Sequence, residues 1–364
     1  MIRLGILFGG RSEEHEVSRL SAVSVIGAID RSKYDIIMIG ITKQGEWMLY
    51  DGDVDKIVTG EWEETARQKL FDDPENYAFS LLGTGGRSLR EIVDFVLPVV
   101  HGTYCEDGTL QGLLEMIDIP YGGCGVTASA VAMDKIIAKD VFVRAGLPVC
   151  GYVATSAEEI SADIEKVAAH IESELGYPVY IKPANMGSSV GITKATDKKT
   201  LTEGLQLAAK YDRRVLAEEG INCREIETAV LGNYNIEASV TGEIVATDDF
   251  YDYDSKYIDD GKPKMKIPAD LPAEISDKIR EYAVKAFGAI DGAGFARCDF
   301  FLDKDNGNIY INEINTIPGF TAFSMFPLLW ENTGSPYSET IERIIRLGYE
   351  RYNAKNNRKA DKSK

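Results

Sequence analysis

Two segments in the last quarter of the chain carry polar side chains where apolar ones would be expected. Ala296-Arg297-Cys298-Asp299-Phe300-Phe301 reads as a strand, and Asp303 to Asn308 offers turn residues. Ile309-Tyr310-Ile311-Asn312-Glu313-Ile314-Asn315 reads as the returning strand. Side chains alternate faces along a strand, so Arg297 shares a face with Asp299, and Glu313 shares one with Asn315. If the turn sets an even pairing sum, Asp299 sits opposite Glu313 and all four groups converge. Asp299, Glu313 and Asn315 are then an oxygen set suited to Mg²⁺, which binds through a few carboxylates plus substrate phosphates. Arg297 beside them would offset developing negative charge. A solvated hairpin face carries such residues too. Their setting among Phe, Ile and Tyr, ahead of the stiff TIPGFT segment at 316–321, favours chemistry.

A second candidate is Lys182-Pro183-Ala184-Asn185-Met186-Gly187-Ser188-Ser189-Val190-Gly191. A lysine at a strand end, followed by a Gly/Ser loop, can close over phosphates with backbone N–H groups and hydroxyls. No GK[ST] follows the glycines, so this is not a Walker A loop, and alone it reads as an ordinary turn. Glu218 and Glu225 could accept hydrogen bonds from a ribose or a base amine, although each alone reads as a surface carboxylate. Near the N-terminus, Gly9-Gly10-Arg11-Ser12-Glu13-Glu14-His15-Glu16 enters a helix from a strand end, where Glu16 could hold a substrate ammonium. The GxGxxG of a dinucleotide fold is absent there. His101-Gly102-Thr103-Tyr104 ends another such strand, and a lone His101 is more often structural than catalytic.

The elements that must position these groups divide the chain. Ile2 to Phe8, Asp35 to Ile41 and Phe95 to Val100 read as strands, with a helix over Glu16 to Ala28, predicting a parallel sheet with crossover helices in an N-terminal unit over 1–133. Gly52 to Gly86 is polar and aromatic and is expected to be irregular. A central unit over 134–232 holds two helices, the strand Pro178 to Lys182, the Gly/Ser loop and the strand Arg214 to Glu218. A third, over 233–352, holds strand-like residues to Thr247, the aspartate-rich DDFYDYDSKY at 248–257, a helix over Ala273 to Phe287, the polar strand pair and a final helix capped by Ser338. Residues 353–364 are expected to be a disordered tail.

Composition sets limits. With 58 acidic against 40 basic residues, net charge is −18 over 364 residues, which argues against a nucleic-acid partner. Five scattered cysteines without CxxC spacing suggest neither disulfides nor zinc, and His15, His101 and His170 are too few for a histidine metal centre. No apolar stretch approaches the roughly 18 residues needed to span a bilayer, and MIRLGILFGG lacks the features of a signal peptide, so a cytoplasmic protein without a membrane partner is expected.

Taken together, FGGRSEEHEVS (8–18), HGTYCEDGTLQG (101–112), MDK (133–135), KPANMGSSVG (182–191), YDYDSKY (251–257), GFARCDFF (294–301) and NEINTIPGFTAFS (312–324) resemble, in order, the ATP-grasp superfamily and within it the D-alanine–D-alanine ligases. The resemblance spans nearly the whole chain. It implies a three-domain α/β ATP-grasp fold, ATP with two Mg²⁺ or Mn²⁺ ions, D-alanine as substrate, a homodimer, and a role in peptidoglycan synthesis. Lys135 and Lys182 would bind ATP phosphates, with Ser188 and Ser189 in the covering loop, Glu218 and Glu225 near adenine and ribose, and Lys256 reaching the transferred phosphate. Asp299, Glu313 and Asn315 match the metal ligands. Arg297 and the backbone at Gly319 would stabilise an oxyanion. Glu16 would hold the first ammonium in a triad with Ser188 and Tyr257, His101 would lie near the first substrate, and Ser324 would hold the second carboxylate. The Lys256-Tyr257 pair argues against D-lactate as second substrate. Met325 after Ser324, where D-serine ligases characteristically carry Arg, argues for D-alanine over D-serine. A catalytically silent ATP-grasp binding module would show gaps among the metal ligands, and none is visible.

Overall fold

The computed structural model describes residues 1–83, 87–245 and 264–360, arranged around three sheets. In the first, the N-terminal apolar run forms β1 (Ile2–Gly9), and β2 (Tyr34–Ile41) lies parallel beside it. β3 (Trp47–Tyr50) pairs antiparallel with β2, and β4 (Phe95–Pro98) runs parallel on the other side of β1. Leu4, Ile6, Leu7 and Phe8 are fully buried, as expected of a parallel strand covered on both faces. The helix His15–Ala28 packs Ala22, Val25 and Ile26 into the same core.

Within the stretch expected to be irregular, helices span Asp55–Thr59, Trp62–Asp72 and Pro74–Tyr77. Only Trp62 and Ala66 of the Trp62–Asp72 helix are buried, one turn apart. So thin an apolar stripe among charges leaves little periodicity to read. Gly40 on β2 makes room for the indole, since a Cβ there would lie 2.1 Å from the Trp62 ring.

The second sheet comprises β5 (Tyr152–Ser156), β6 (Val179–Pro183), β7 (Thr193–Ala195) and β8 (Arg214–Glu219), all antiparallel in the order β5-β8-β6-β7. Helices Ala157–Leu175 and Lys198–Tyr211 bury Ala168, Ile171, Leu201 and Leu205 against Ile181, Val215 and Ala217. Each starts at a side-chain cap, Ser156 with Glu159 and Asp197 with Thr200, which satisfies amide groups a helix start leaves unpaired.

The third sheet is antiparallel throughout: β9 (Cys223–Gly232), β10 (Glu237–Val245), β11 (Lys264–Lys266), β12 (Gly294–Asp303) and β13 (Ile309–Asn315), in the order β11-β10-β9-β12-β13. β9 thus pairs with β12, although the sequence reading counted it with the central unit. The helix Ala273–Ala289 covers this sheet with Ile279, Ala283 and Phe287. The last helix runs Tyr337–Ala360, so Ser338 lies inside it rather than capping it, and the expected tail is helical through Ala360. Phe326, Trp330, Ile344 and Ile345, from Met325–Asn332 and this last helix, join Leu4, Ile6 and Phe8 of β1 in one core. At roughly 1.5–3 kcal/mol for each large side chain fully buried, that shared core ties the two ends of the chain together. Among the described residues no helix is long and apolar enough to cross a membrane.

Candidate active site

A cavity of about 250 Å³ lies between the second and third sheets. Its basic side begins with Asp134. This residue caps the helix Lys135–Arg144 by accepting from Ile136 N (3.1 Å) and Ile137 N (3.0 Å), and pairs with Arg214 (2.6 Å). The cap fixes Lys135 in the first turn, where its Nζ donates to Met186 O of the Gly/Ser loop (2.9 Å) and stands 3.6 Å from Glu313. One turn on, Lys139 shares that helix face and is buried. Glu218, on β8 and almost fully buried, receives Lys182 on Oε2 (2.5 Å) and ion-pairs with Lys139 through Oε1. Burial pushes the Glu218 carboxyl up, but the two lysines outweigh it and hold it at about 2. Burial likewise favours neutral Lys182, yet Glu218 overrides it and keeps the ammonium charged. Glu218, expected beside the base or ribose, lines the cavity with both oxygens engaged by lysines. Lys139 escaped the sequence reading because a lysine in a helix reads as a solvated side chain.

The opposite wall is the face of β9, β12 and β13. Arg297 pairs with Asn315, and Asp299 with Glu313, in the register that brings the four groups together. Nearer the turn, however, Phe300 pairs with Ile311, so Asn312 is an extra residue in a bulge. The turn therefore does not set the register of the site; the bulge does, a known device for re-aiming a side chain beside a functional centre. Arg297 donates through Nε and one terminal nitrogen to the two oxygens of Asp299 (both 2.7 Å), and its Nε stands 3.0 Å from Glu227 Oε2. These carboxylates more than offset the burial of the guanidinium and raise its pKa well above the ordinary value. Glu227 sits across β9 from Asp299 and lines the cavity with Glu225. The two-residue period from Glu225 would have found it. Asn315 Oδ1 accepts from Ile317 N (3.2 Å), which orients the amide at the end of β13. Two carboxylates and an amide oxygen on one face fit a hard divalent cation that leaves positions for phosphate oxygens.

Ser188 and Ser189 both line the cavity in left-handed backbone (φ 51° and 61°), uncommon for residues with a side chain. Ser188 Oγ is buried without a hydrogen-bond partner, so the contact expected with Glu16 is not made. Glu16 instead pairs with Lys43 (2.6 Å). Lys256 and Tyr257 lie outside the described residues.

Other residues expected at the site do not line this cavity. His101 is buried, with Nδ1 2.8 Å from Ile317 O and Nε2 3.3 Å from Ser21 Oγ, and Ser21 Oγ accepts from Phe320 N (3.4 Å). Gly319 is thereby held between two anchored neighbours. Ser324 Oγ accepts from Thr321 N (3.1 Å) and shares a hydrogen bond with Thr321 Oγ1 (2.8 Å). Met325, expected beside the second-substrate pocket, is packed in the hydrophobic core. It is 4% exposed, in the core with Phe326 and Leu329, and a Cβ on Gly242 would meet its sulfur at 2.7 Å. Packing of this kind gives the residue argument for D-alanine over D-serine no support.

Two family models match, described as D-ala D-ala ligase N-terminus over residues 3–124 and D-ala D-ala ligase C-terminus over residues 141–346. A D-alanine–D-alanine ligase of Acetivibrio thermocellus is 52% identical, covering 96% of both chains. The solved D-alanine-D-alanine ligase from Coxiella burnetii superposes with a TM-score of 0.84 at 32% identity, over 98% of this chain and 96% of that one. The VanG D-Ala:D-Ser ligase from Enterococcus faecalis does so at 0.82 and 37%, over 95% and 99%.

Proposed function

The chain belongs to the D-alanine–D-alanine ligase family, and from that premise we propose that it joins two D-alanine molecules into D-alanyl-D-alanine with cleavage of ATP to ADP and phosphate, for peptidoglycan precursors. The observation that carries this reading is the single cavity in which Lys135, Lys182 and the Gly/Ser loop face Arg297, Asp299 and Glu313. ATP lies there with its phosphates against the two lysines and the unpartnered Ser188 hydroxyl, and Glu225 accepts from the ribose. Asp299, Glu313 and Asn315 would hold Mg²⁺ or Mn²⁺, which would supply charge shielding for the phosphates.

The first D-alanine carboxylate attacks the γ-phosphorus, giving an acyl phosphate and ADP. The amine of the second D-alanine then attacks the acyl carbon, and phosphate departs with the bridging oxygen and the proton the amine gives up. Arg297 and the Gly319 N–H meet the oxyanion that forms in between, where fixed donors act without reorganising. Glu16, released from Lys43, orients the first ammonium. His101 holds the 316–320 segment in place, and Ser324 receives the second carboxylate. On this reading the chain divides into a substrate unit over 1–133, a nucleotide unit from 134 to the end of β8, and a third unit beginning at β9.

A D-serine-using ligase is the second reading, favoured by the likeness to VanG and by the loss of the Met325 argument. Product analysis with ATP and equal D-alanine, D-serine and D-lactate separates the two. The expected main product is D-alanyl-D-alanine, and a predominance of D-alanyl-D-serine would transfer the assignment.

A further inference from the structure

Lys182 and Glu218 line the cavity, Lys139 joins them without lining it, and only Lys182 of the three needs to meet a phosphate. Lys139 and Glu218 are each 1% exposed. A buried carboxylate beside a buried ammonium tends to cancel its charge, and Glu218 alone would leave Lys182 with little net field to offer an anion. Lys139, on the other carboxylate oxygen, adds the second positive charge, so the three groups together carry one net positive charge. Among the described residues Glu218 is the sole ion-pair partner of Lys139. It sits on the same helix as Lys135, held by the Asp134 cap, so one element sets both lysines.

We propose that Lys139 is a positioning residue of the reaction. It neutralises Glu218 from behind, so that Glu218 fixes the Lys182 ammonium in place without consuming its attraction for the nucleotide phosphates. The proposal rests on the reading that this cavity takes ATP. A ligand with the same base and sugar but no phosphates should not feel Lys139 at all.

The test measures binding of ATP and of adenosine by calorimetry, on the full chain in Mg²⁺. The parent binding ATP establishes the underlying reading, and no ATP binding by the parent would defeat that reading rather than this one. Lys139→Met should weaken ATP by about tenfold or more, because removing one partner of a buried pair leaves the other uncompensated, while adenosine stays within about twofold. In Lys139→Met/Glu218→Gln the lost charges balance, and ATP affinity should return to within about threefold of the parent. Lys139→Arg keeps the charge and should retain ATP binding; it serves if the methionine variant does not fold, and a tenfold loss there overturns the proposal. Unchanged ATP binding in Lys139→Met, equal losses for ATP and adenosine, or no recovery in the double variant each overturn it as well.

Discussion

Arg297 stands between Asp299 and Glu227, and Glu313 on the neighbouring strand lies 3.6 Å from Lys135, so two cations serve three carboxylates. The surplus of negative charge suits a site that recruits a divalent cation, and Glu313, opposite Asp299, contributes an oxygen without taking part in the Arg297 fork. Glu313→Gln preserves shape and removes that charge. Turnover at saturating Mg²⁺ should fall on the order of 100-fold, as losses of electrostatic stabilisation commonly do, with the melting temperature nearly unchanged. Steady-state rates within threefold of the parent would remove Glu313 from the metal set. Met325 makes the opposite case. Because it is packed against Gly242 and Leu329, Met325→Arg buries a charge and should cost about 3 kcal/mol or more in urea unfolding, without a selective gain for D-serine. A variant as stable as the parent but with a shifted D-alanine/D-serine ratio of kcat/KM would put Met325 at the pocket.

At the scale of elements, the last helix is a clamp. Arg351 lies 4.1 Å over the Tyr121 ring and donates to Tyr121 Oη (3.1 Å) and Glu115 (3.4 Å), and Tyr352 Oη reaches Asp118 Oδ1 (3.2 Å). Beyond them Lys355 adds a half-exposed pair to Glu115, the kind of contact worth about 0–1 kcal/mol. Arg351→Ala should therefore lower the melting temperature more than deletion of 353–364, as thermal scans of the two variants would show. The reverse order would mean that the docking lies in the final turns. The polar strand pair, the N-terminal parallel strands and the Gly/Ser loop were legible in the sequence because period-two alternation and glycine clusters are local signals. The helix over Trp62–Asp72 was not, since its anchor Trp62 is buried by a slot at Gly40, over twenty residues away. Nor was the bulge at Asn312, which depends on cross-strand pairing, or the turning of Glu16 toward Lys43, which depends on where β2 ends.

At the scale of the molecule, a chain of net charge −18 gathers Lys135, Lys139, Lys182 and Arg297 around one cavity. Such a chain repels anions at long range, so polyphosphate binding must come from this local cluster and a shielding cation. The core shared by β1 and the two final helices holds His101 and Ser21 against the 316–320 segment, the kind of fixed geometry that positioning two small substrates beside one nucleotide requires. If the first D-alanine carboxylate itself attacks ATP, oxygen-18 placed in that carboxylate must pass to the phosphate. Incubated with ATP and Mg²⁺, carboxyl-labelled D-alanine should yield D-alanyl-D-alanine together with phosphate carrying one labelled oxygen, read by mass spectrometry. Dipeptide accompanied by unlabelled phosphate, or ADP formed without dipeptide, would mean that the carboxylate does not attack ATP.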